Sequence, residues 1–375
     1  MMKKIKIQHY INYIVIGILT AVLSVITFTG GRLDSSTLFL LEKIAISIIL
    51  SVSLSLVVGF LGELSLGHAG FMCVGAYIGG KVAALLAPQL GNGIVTFLIA
   101  LIVGAAVAAL CGVIIGIPAL RLRGDYLAIV TLAFGEIVKS IFRNTSDESF
   151  GGALGLPTPR YDKKYLFIIA FVLVLITLAV IQNFIRSKHG RAVTAIRDNE
   201  IAARATGINV TKYKLLAFTI SATFAGVAGV LYSYSNYTVQ SAKFGYNYSI
   251  EILVMVVLGG MGNINGSIIA AALITFLNTK LATILTGDLA VLQNLFYAII
   301  LILIVIYNNA PALKSFRDRY NLGVLIKKLL RSKHDPAKVT DDAAKWDVVP
   351  TKIEMNEILS IDVTPQDNNE KGGNE

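Results

Sequence analysis

A few ionisable side chains interrupt the long apolar stretches of this sequence, and they have the clearest capacity for chemistry. Glu63 and His68 lie next to an otherwise apolar run, and Glu136 precedes Lys139 by three residues inside another apolar stretch. Charged groups at such positions are costly in hydrocarbon, so they face a partner or a cavity. Glu136 and Lys139 share one helix face, which leaves two alternatives open: an internal ion pair or a polar translocation path.

Two glycine-rich segments supply further candidates, residues 62–80 and residues 259–267. Broken backbone at membrane depth is tolerated only where protein or water satisfies its polar groups. Small residues also let membrane helices pack closely, so helix packing stays the alternative for residues 62–80. The residues predicted to line a translocation path are Glu63, Ser65, His68, Glu136, Gly259, Gly260, Gly262 and Asn263.

Motifs for catalysis and for nucleotide or metal binding are missing from the sequence. No G-x-x-x-x-G-K-[ST] phosphate loop occurs. The glycines at 260–266 follow an apolar run, but their G-x-G-x-x-x-G spacing is one residue longer than the dinucleotide fingerprint. Cys73 and Cys111 lie in apolar runs, and the four histidines show no metal-ligand spacing. We therefore expect a chain that is not an enzyme and holds no cofactor or metal.

The composition is that of a membrane protein. Of 375 residues, 55% are hydrophobic and 15% are charged, whereas a soluble domain carries about 25% charged residues. The apolar residues come in blocks of about 20, the length that crosses ~30 Å of hydrocarbon. The net charge of +10 comes from residues at the ends of these blocks, which indicates membrane topology and not nucleic-acid binding.

These blocks predict an all-α polytopic membrane protein with about eight transmembrane helices and one re-entrant half-helix. The predicted crossings are residues 11–30, 38–62, 64–87, 93–120, 126–142, 165–185, 215–237 and 289–309. The block 249–285 has to enter and leave on one face, so its central glycines predict a half-helix, a turn and a returning helix.

An excess of Lys and Arg beside the crossings predicts that both termini and residues 190–215 are cytoplasmic. We predict a transmembrane domain at residues 1–310 and a cytoplasmic tail at residues 311–375. This tail is basic at first and then acidic, and its second half has the composition of a disordered segment.

The basic loop at residues 190–215 contains a short predicted helix. Asp198 is a good N-cap, and Glu200 places negative charge near the positive helix end. Two alanines allow close approach of another surface, and Gly207 can end the helix in the left-handed conformation. About two turns need packing support, which leaves a docking helix for a partner or an ordinary surface helix. The residues predicted to couple this chain to a partner through this helix are Asp198, Glu200, Ala202, Ala203 and Gly207.

Four segments occur in the same order as in a known family. They are GELSLGHAGFMCVGAYIGG, RLRGDYLAIVTLAFGEIVKS, GRAVTAIRDNEIAARATGINVTKYKLLAF and ILVMVVLGGMGNINGSIIAAAL. Together they resemble the permease subunits of branched-chain amino acid ABC importers over most of residues 40–310. The chain is most similar to the longer of the two paired permeases, which implies a type II ABC importer fold.

The resemblance also implies partners and a location. The expected partners are a second homologous permease, two ATP-binding subunits, an extracytoplasmic substrate-binding protein and the lipid bilayer of a bacterial cytoplasmic (inner) membrane. In such importers a Glu-Ala-Ala loop ending in Gly couples the ATPases to the pore, and Ile201 interrupts the corresponding run here. The implied substrates are leucine, isoleucine and valine. Urea or short amides, carried by related permeases, remain an alternative, as does an ion-coupled secondary transporter.

Overall fold

The computed structural model describes residues 11–28, 34–122, 124–159 and 161–284, together with residues 298, 299, 302 and 306. Helices form most of this part of the chain. They are α1 (Ile11–Phe28), α2 (Ser35–Ser55), α3 (His68–Leu90), α4 (Ile94–Ala119), α5 (Asp125–Arg143), α6 (Asp147–Phe150), α7 (Lys163–Arg186), α8 (Lys188–Asp198), α9 (Glu200–Ala205), α10 (Val210–Ser235), α11 (Tyr246–Gly259) and α12 (Ile264–Ile284).

Six helices of the described part are long and apolar enough to cross a membrane. They are Ser35–Leu61, His68–Leu90, Ile94–Ala119, Tyr165–Arg186, Val210–Ser235 and Ile264–Ile284. Five coincide with predicted crossings, and the sixth is the returning helix predicted for the block 249–285. The shorter or less apolar helices α1 and α5 occupy two more predicted crossings. The prediction of an all-α polytopic membrane protein is therefore confirmed.

Other predictions concern parts of the chain that the structure leaves undescribed. The crossing at residues 289–309 lies almost entirely outside the described residues. The tail at residues 311–375 and the lysines before residue 11 also lie outside them.

The centre of the bundle is formed by α3, α4 and α10, which pack closely because small residues line their contacts. On α4 the buried face repeats every four residues, through Ala100, Gly104, Ala108, Gly112 and Gly116. A Cβ added to Gly112 would meet the side chain of Ala222 on α10. Because lipid removes the hydrophobic driving force between helices, van der Waals packing along such stripes of small residues stabilises their contact.

The opposite face of α4 is apolar and exposed, as expected for a helix that contacts lipid or another membrane subunit. Its large exposed residues include Leu98, Ile102, Leu110 and Ile114, which are between 47% and 66% accessible. Because few charged side chains accompany them, this face fits a hydrocarbon environment better than water.

The helix α2 is the most enclosed long helix and ends in an irregular segment. Its last turns, Leu56–Leu61, form a π-helix, which stops at Gly62 with a φ of 78°. π-Helical turns are rare in proteins, and those that occur are often found at functional sites. This segment adjoins α8 and α10 and leads directly into the predicted path residues.

A short antiparallel ladder joins two loops at the other end of the bundle. Its strands are β1 (Leu156–Pro157) and β2 (Thr238–Val239). A 3₁₀ turn at Ser241–Phe244 then leads into α11.

The apolar run before the glycines at 260–266 is the helix α11 and not a strand, which removes the strand that a dinucleotide site would require.

Candidate coupling and translocation site

The basic loop between α7 and α10 folds into two helices, α8 and α9. Ser187 caps α8 by accepting hydrogen bonds from the backbone N–H groups of His189 and Gly190, at 3.1 and 3.3 Å. The cap of α9 is Asn199, whose Oδ1 accepts a 3.0 Å hydrogen bond from the N–H of Ala202. The loop is therefore a pair of independently capped helices.

The prediction that Asp198 caps the short helix is wrong. Asp198 is the last residue of α8, and its carboxylate accepts hydrogen bonds from Arg197 at 2.9 and 3.1 Å. Asn199 has the extended backbone that a cap requires, with φ −159° and ψ 105°. Two consecutive residues can each cap a helix chemically, and the end of α8 decides which one does.

The predicted end of α9 is confirmed. Gly207 has a φ of 85°, its N–H donates to the carbonyl of Arg204, and the N–H of Ile208 donates to the carbonyl of Ala203. This pair of hydrogen bonds is the Schellman motif, in which the left-handed residue satisfies two free carbonyl groups. Nothing lies within 4 Å of a Cβ placed on Gly207, so the backbone conformation alone favours glycine here.

The two alanines of α9 face different environments. Ala203 is 4% exposed and packs into the bundle, whereas Ala202 is exposed beside Ile201, which is 75% exposed. The six-residue helix is thus held on one side and presents a small apolar surface on the other. A single exposed apolar side chain is ordinary on a protein surface, so contact of this surface with a partner stays a prediction.

A buried lysine connects α9 to the end of α2. Lys214 on α10 is 4% exposed, and its Nζ lies 2.5 Å from Glu63 Oε1 and 3.2 Å from Glu200 Oε2. Glu200 also pairs with Arg204 at 2.9 Å. Glu63, predicted as a path residue, therefore belongs to an ion network with α9. In the sequence, Lys214 is one of several basic residues of the loop at residues 190–215, and nothing there reveals its buried ion pairs.

Arg197 forms a second link, which the sequence also did not reveal. Its Nη1 donates a 3.1 Å hydrogen bond to the carbonyl oxygen of Gly59, inside the π-helical segment. Its aliphatic carbons pack against Gly62, and the same guanidinium lies beside Gly262. One side chain thus joins α8, the end of α2 and the turn between α11 and α12.

The predicted break between two membrane helices is present. Its glycines, Gly260 and Gly262, have φ angles of 90° and 80°. Asn263 Oδ1 then accepts a hydrogen bond from the N–H of Gly266 at 3.3 Å. Gly259 and Gly266 touch backbone to backbone, so a Cβ on either would collide with the other.

The glycine turn lies at one end of the helix bundle and not midway along it. A Cβ on Gly59 would collide with the backbone of Gly262, so the turn lies at the end of the bundle where α8 and α9 lie. The helix before it has 14 residues, or about 21 Å, which is shorter than the ~30 Å hydrocarbon core. The described geometry agrees with the predicted half-helix and returning helix.

Ser65 and His68 lie in helix contacts. Both are 2% exposed, and His68 Nε2 lies 2.8 Å from Ser53 Oγ. The neighbouring glycines pack equally closely, because a Cβ on Gly67 would meet the carbonyl of Thr131. For this part of residues 62–80, the structure shows the close packing that was the alternative to a path.

Glu136 on α5 contacts the start of α11. Its Oε2 accepts a hydrogen bond from Lys139 Nζ, and its Oε1 accepts one from the N–H of Tyr246, both at 2.8 Å. The predicted ion pair is confirmed. The carboxylate also sits at the positive end of a helix, where it is favourable, so Glu136 holds the beginning of the half-helix in place.

Comparison with known proteins places this geometry in a family. The sequence profile described as branched-chain amino acid transport system, permease component, matches residues 36–306. The chain belongs to this family. The resemblance seen in the four sequence segments is confirmed, and so is the type II importer kind of permease fold.

Individual relatives agree with this assignment. The permease is 38% identical over 275 residues to the high-affinity branched-chain amino acid transport system permease proteins LivM of Salmonella typhimurium and Escherichia coli. The match covers 65% of this chain and 62% of each LivM protein, so it spans less than two thirds of these relatives. The ribose import permease protein RbsC of Escherichia coli is 28% identical over 78% of this chain and 92% of its own length. No solved structure was found to match the chain.

Proposed function

We propose that this chain is the membrane-spanning permease subunit of an ATP-driven importer of leucine, isoleucine and valine. The proposed complex contains a second homologous permease, two ATP-binding subunits and an extracytoplasmic substrate-binding protein. It lies in a bacterial cytoplasmic membrane with both termini of this chain in the cytoplasm. Family membership and the LivM relatives support this proposal.

The observation that carries the proposal is the helix α9. It is anchored through buried Ala203 and the ion pair of Glu200 with Lys214, and it exposes Ile201 and Ala202. A helix this short is unstable by itself, and tethering it to α10 prepares it to receive a partner. We propose that the ATP-binding subunit docks on this exposed surface and that the contact ends near Gly207.

The proposed transmission route runs from α9 to the glycine turn. Movement of α8 and α9 reaches Gly59 through Arg197 and reaches Glu63 through Lys214. The turn at Gly260, Gly262 and Asn263 lies directly beside these contacts. In this proposal the turn residues and Glu136 border the path at the two ends of α11, whereas Ser65 and His68 hold the surrounding helices.

Reconstitution tests the function directly. The complete complex in proteoliposomes should import leucine only when ATP and the binding protein are supplied, and import should continue when ion gradients are collapsed. Uptake by this chain without ATP-binding subunits, driven by an ion gradient, would instead identify a secondary transporter. Uptake of urea, a short amide or ribose in place of leucine would overturn the proposed substrate.

The docking surface has its own test. Ile201→Glu should weaken association of the ATP-binding subunit by about tenfold, since a charge replaces a side chain that docking would bury. Leu154→Glu, in the loop before β1 at the other end of the bundle, is a matched substitution because Leu154 is 76% exposed, and it should leave subunit association on α9 intact. Equal association of the ATP-binding subunit with wild type and Ile201→Glu would exclude α9 as the docking helix.

A further inference from the structure

A cavity of about 420 Å³ lies in the half of the bundle remote from α8 and α9. Its walls come from α2, α10, the 3₁₀ turn, α11 and α12. Asn236 directly follows α10 at the end opposite to Lys214, and it contributes to the wall. This volume falls within the range of about 300–1,000 Å³ that small-molecule sites occupy.

Both signs of charge line this cavity. Lys43 comes from α2, Lys243 from the 3₁₀ turn and Glu251 from α11. Lys43 is close enough to Lys243 and Glu251 to interact electrostatically with both. Yet among the described residues no carboxylate oxygen lies within 4.0 Å of either ammonium group. The Nζ atom of Lys43 lies 4.6 Å from the centroid of the Phe39 ring, a contact that leaves its N–H donors available to a further group.

The same wall contains a buried hydroxyl group that lacks a hydrogen-bond partner. Thr275 is 7% exposed, and its Oγ1 has no hydrogen-bond partner among the described residues. Leaving a buried polar group unsatisfied is costly, so such groups in native proteins call for a partner. Asn278, one helical turn further along α12, already donates a 3.0 Å hydrogen bond to Glu251 Oε1 and orients that carboxylate.

The ligand chemistry follows from the combination of these groups. An anion would be drawn to the lysines and repelled by Glu251, and a cation would meet the reverse. A molecule that carries a carboxylate and an ammonium together satisfies both. Phe244 and Ile46 add an apolar wall suited to an aliphatic side chain.

We propose that this cavity binds the zwitterionic head of an aliphatic α-amino acid during import, with its carboxylate at Lys43 and Lys243 and its ammonium at Glu251. Thr275 donates its hydroxyl proton to the same carboxylate. This proposal rests on the proposed function, because it assigns a binding site within the same import path.

Direct ligand binding separates the two proposals. Radiolabelled leucine is bound to the detergent-purified complex of permeases and ATP-binding subunits, prepared without the substrate-binding protein and without ATP, and leucine uptake is measured in proteoliposomes with the binding protein added. Glu251→Gln should weaken leucine binding by about tenfold or more, since hydrogen bonds to charged groups are the stronger kind. It should leave competition by 4-methylpentanoate, which lacks the ammonium, within about twofold of wild type.

The double variant Lys43→Gln, Lys243→Gln should show the complementary pattern. It should lose leucine binding by a similar factor and keep competition by leucinamide, which lacks the carboxylate. Lys280→Gln is the matched control, because Lys280 is exposed on α12 and lies outside the cavity wall. Its leucine affinity should equal that of wild type.

Thr275→Val keeps the side-chain shape and therefore distinguishes a ligand contact from a structural one. We expect weaker leucine binding by about threefold to tenfold together with an unchanged or raised melting temperature, since an unsatisfied hydroxyl is removed. A wild-type complex that imports leucine while the Glu251, lysine-pair and Thr275 variants all bind it normally would overturn the cavity proposal alone. A wild-type complex that does not import leucine would overturn the proposed function.

Discussion

Lys214→Met tests whether the buried lysine holds the coupling helix to the membrane bundle. Methionine keeps most of the side-chain length and removes the charge between Glu63 and Glu200. The side chains of these two acids are 12% and 22% exposed, so neither carboxylate gains full hydration in exchange. Glu200 keeps Arg204 as a partner, whereas Glu63 loses its ion pair with Lys214.

The expected cost follows from this burial. Removing one member of a buried ion pair costs ~3–5 kcal/mol, and the partial exposure of both acids places this case at the lower limit, ~3 kcal/mol. At about 2.1 cal/mol/K of unfolding entropy per residue, a chain of 375 residues should melt ~4 °C lower. The double variant Lys214→Met, Glu63→Gln should recover part of the loss, because the uncompensated carboxylate is then absent.

Thermal unfolding of the purified complex and ATP-driven leucine uptake supply the two measurements. Lys212→Met is the matched control, since Lys212 is exposed on the same helix and should change stability by ~0.5 kcal/mol at most. We expect Lys214→Met to hydrolyse ATP with little leucine import. Equal melting temperatures and equal uptake for the two methionine variants would refute the role of the ion network.

Three more predictions concern the glycine turns and the path. Gly207→Val should reduce the free energy of unfolding by about 1–2 kcal/mol or more, because a branched residue is forced into a left-handed conformation. The variant should stay in the membrane and import less leucine per ATP hydrolysed, and Gly207→Asn should have a smaller effect. Gly266→Ala should prevent assembly of α11 against α12, detected as lost complex on size-exclusion chromatography, whereas Gly93→Ala should assemble normally, as open space surrounds Gly93. In a background without the two native cysteines, Asn263→Cys should react with a small polar thiol reagent and Ser65→Cys should not, since Asn263 is exposed and Ser65 is 2% exposed; the reverse pattern would place the path beside Ser65.

The long helices could be predicted because their signal is local. Apolar blocks of membrane length in the sequence coincide with α2, α3, α4, α7 and α10. The glycines after α11 mark the end of that helix. The N-cap of α9 was harder, because Asp198 and Asn199 have equivalent capping chemistry and only the length of α8 separates them.

The contacts that define the site could not be predicted, because their partners are distant in sequence. Lys214 and Glu63 are 151 residues apart, and Arg197 and Gly59 are 138 residues apart. Neither spacing leaves a pattern in one sequence. The same reason explains why glycines such as Gly67 could not be assigned to packing or path before their neighbours were known.

The helix α11 connects the proposed ligand cavity to the end of the bundle where α8 and α9 lie. Its start is held by Glu136 through the N–H of Tyr246, and Glu251 lies in the cavity wall. Gly259 follows eight positions later, about 12 Å along the axis, and adjoins the turn beside Arg197. In the two proposals, a ligand that contacts Glu251 and a partner that moves α8 act on the same short helix. Because its glycine end contacts Gly266 without side chains between them, a small shift of α11 must either move α12 with it or open this contact. This contact is the mechanical link that the two proposals require between the ligand cavity and α8.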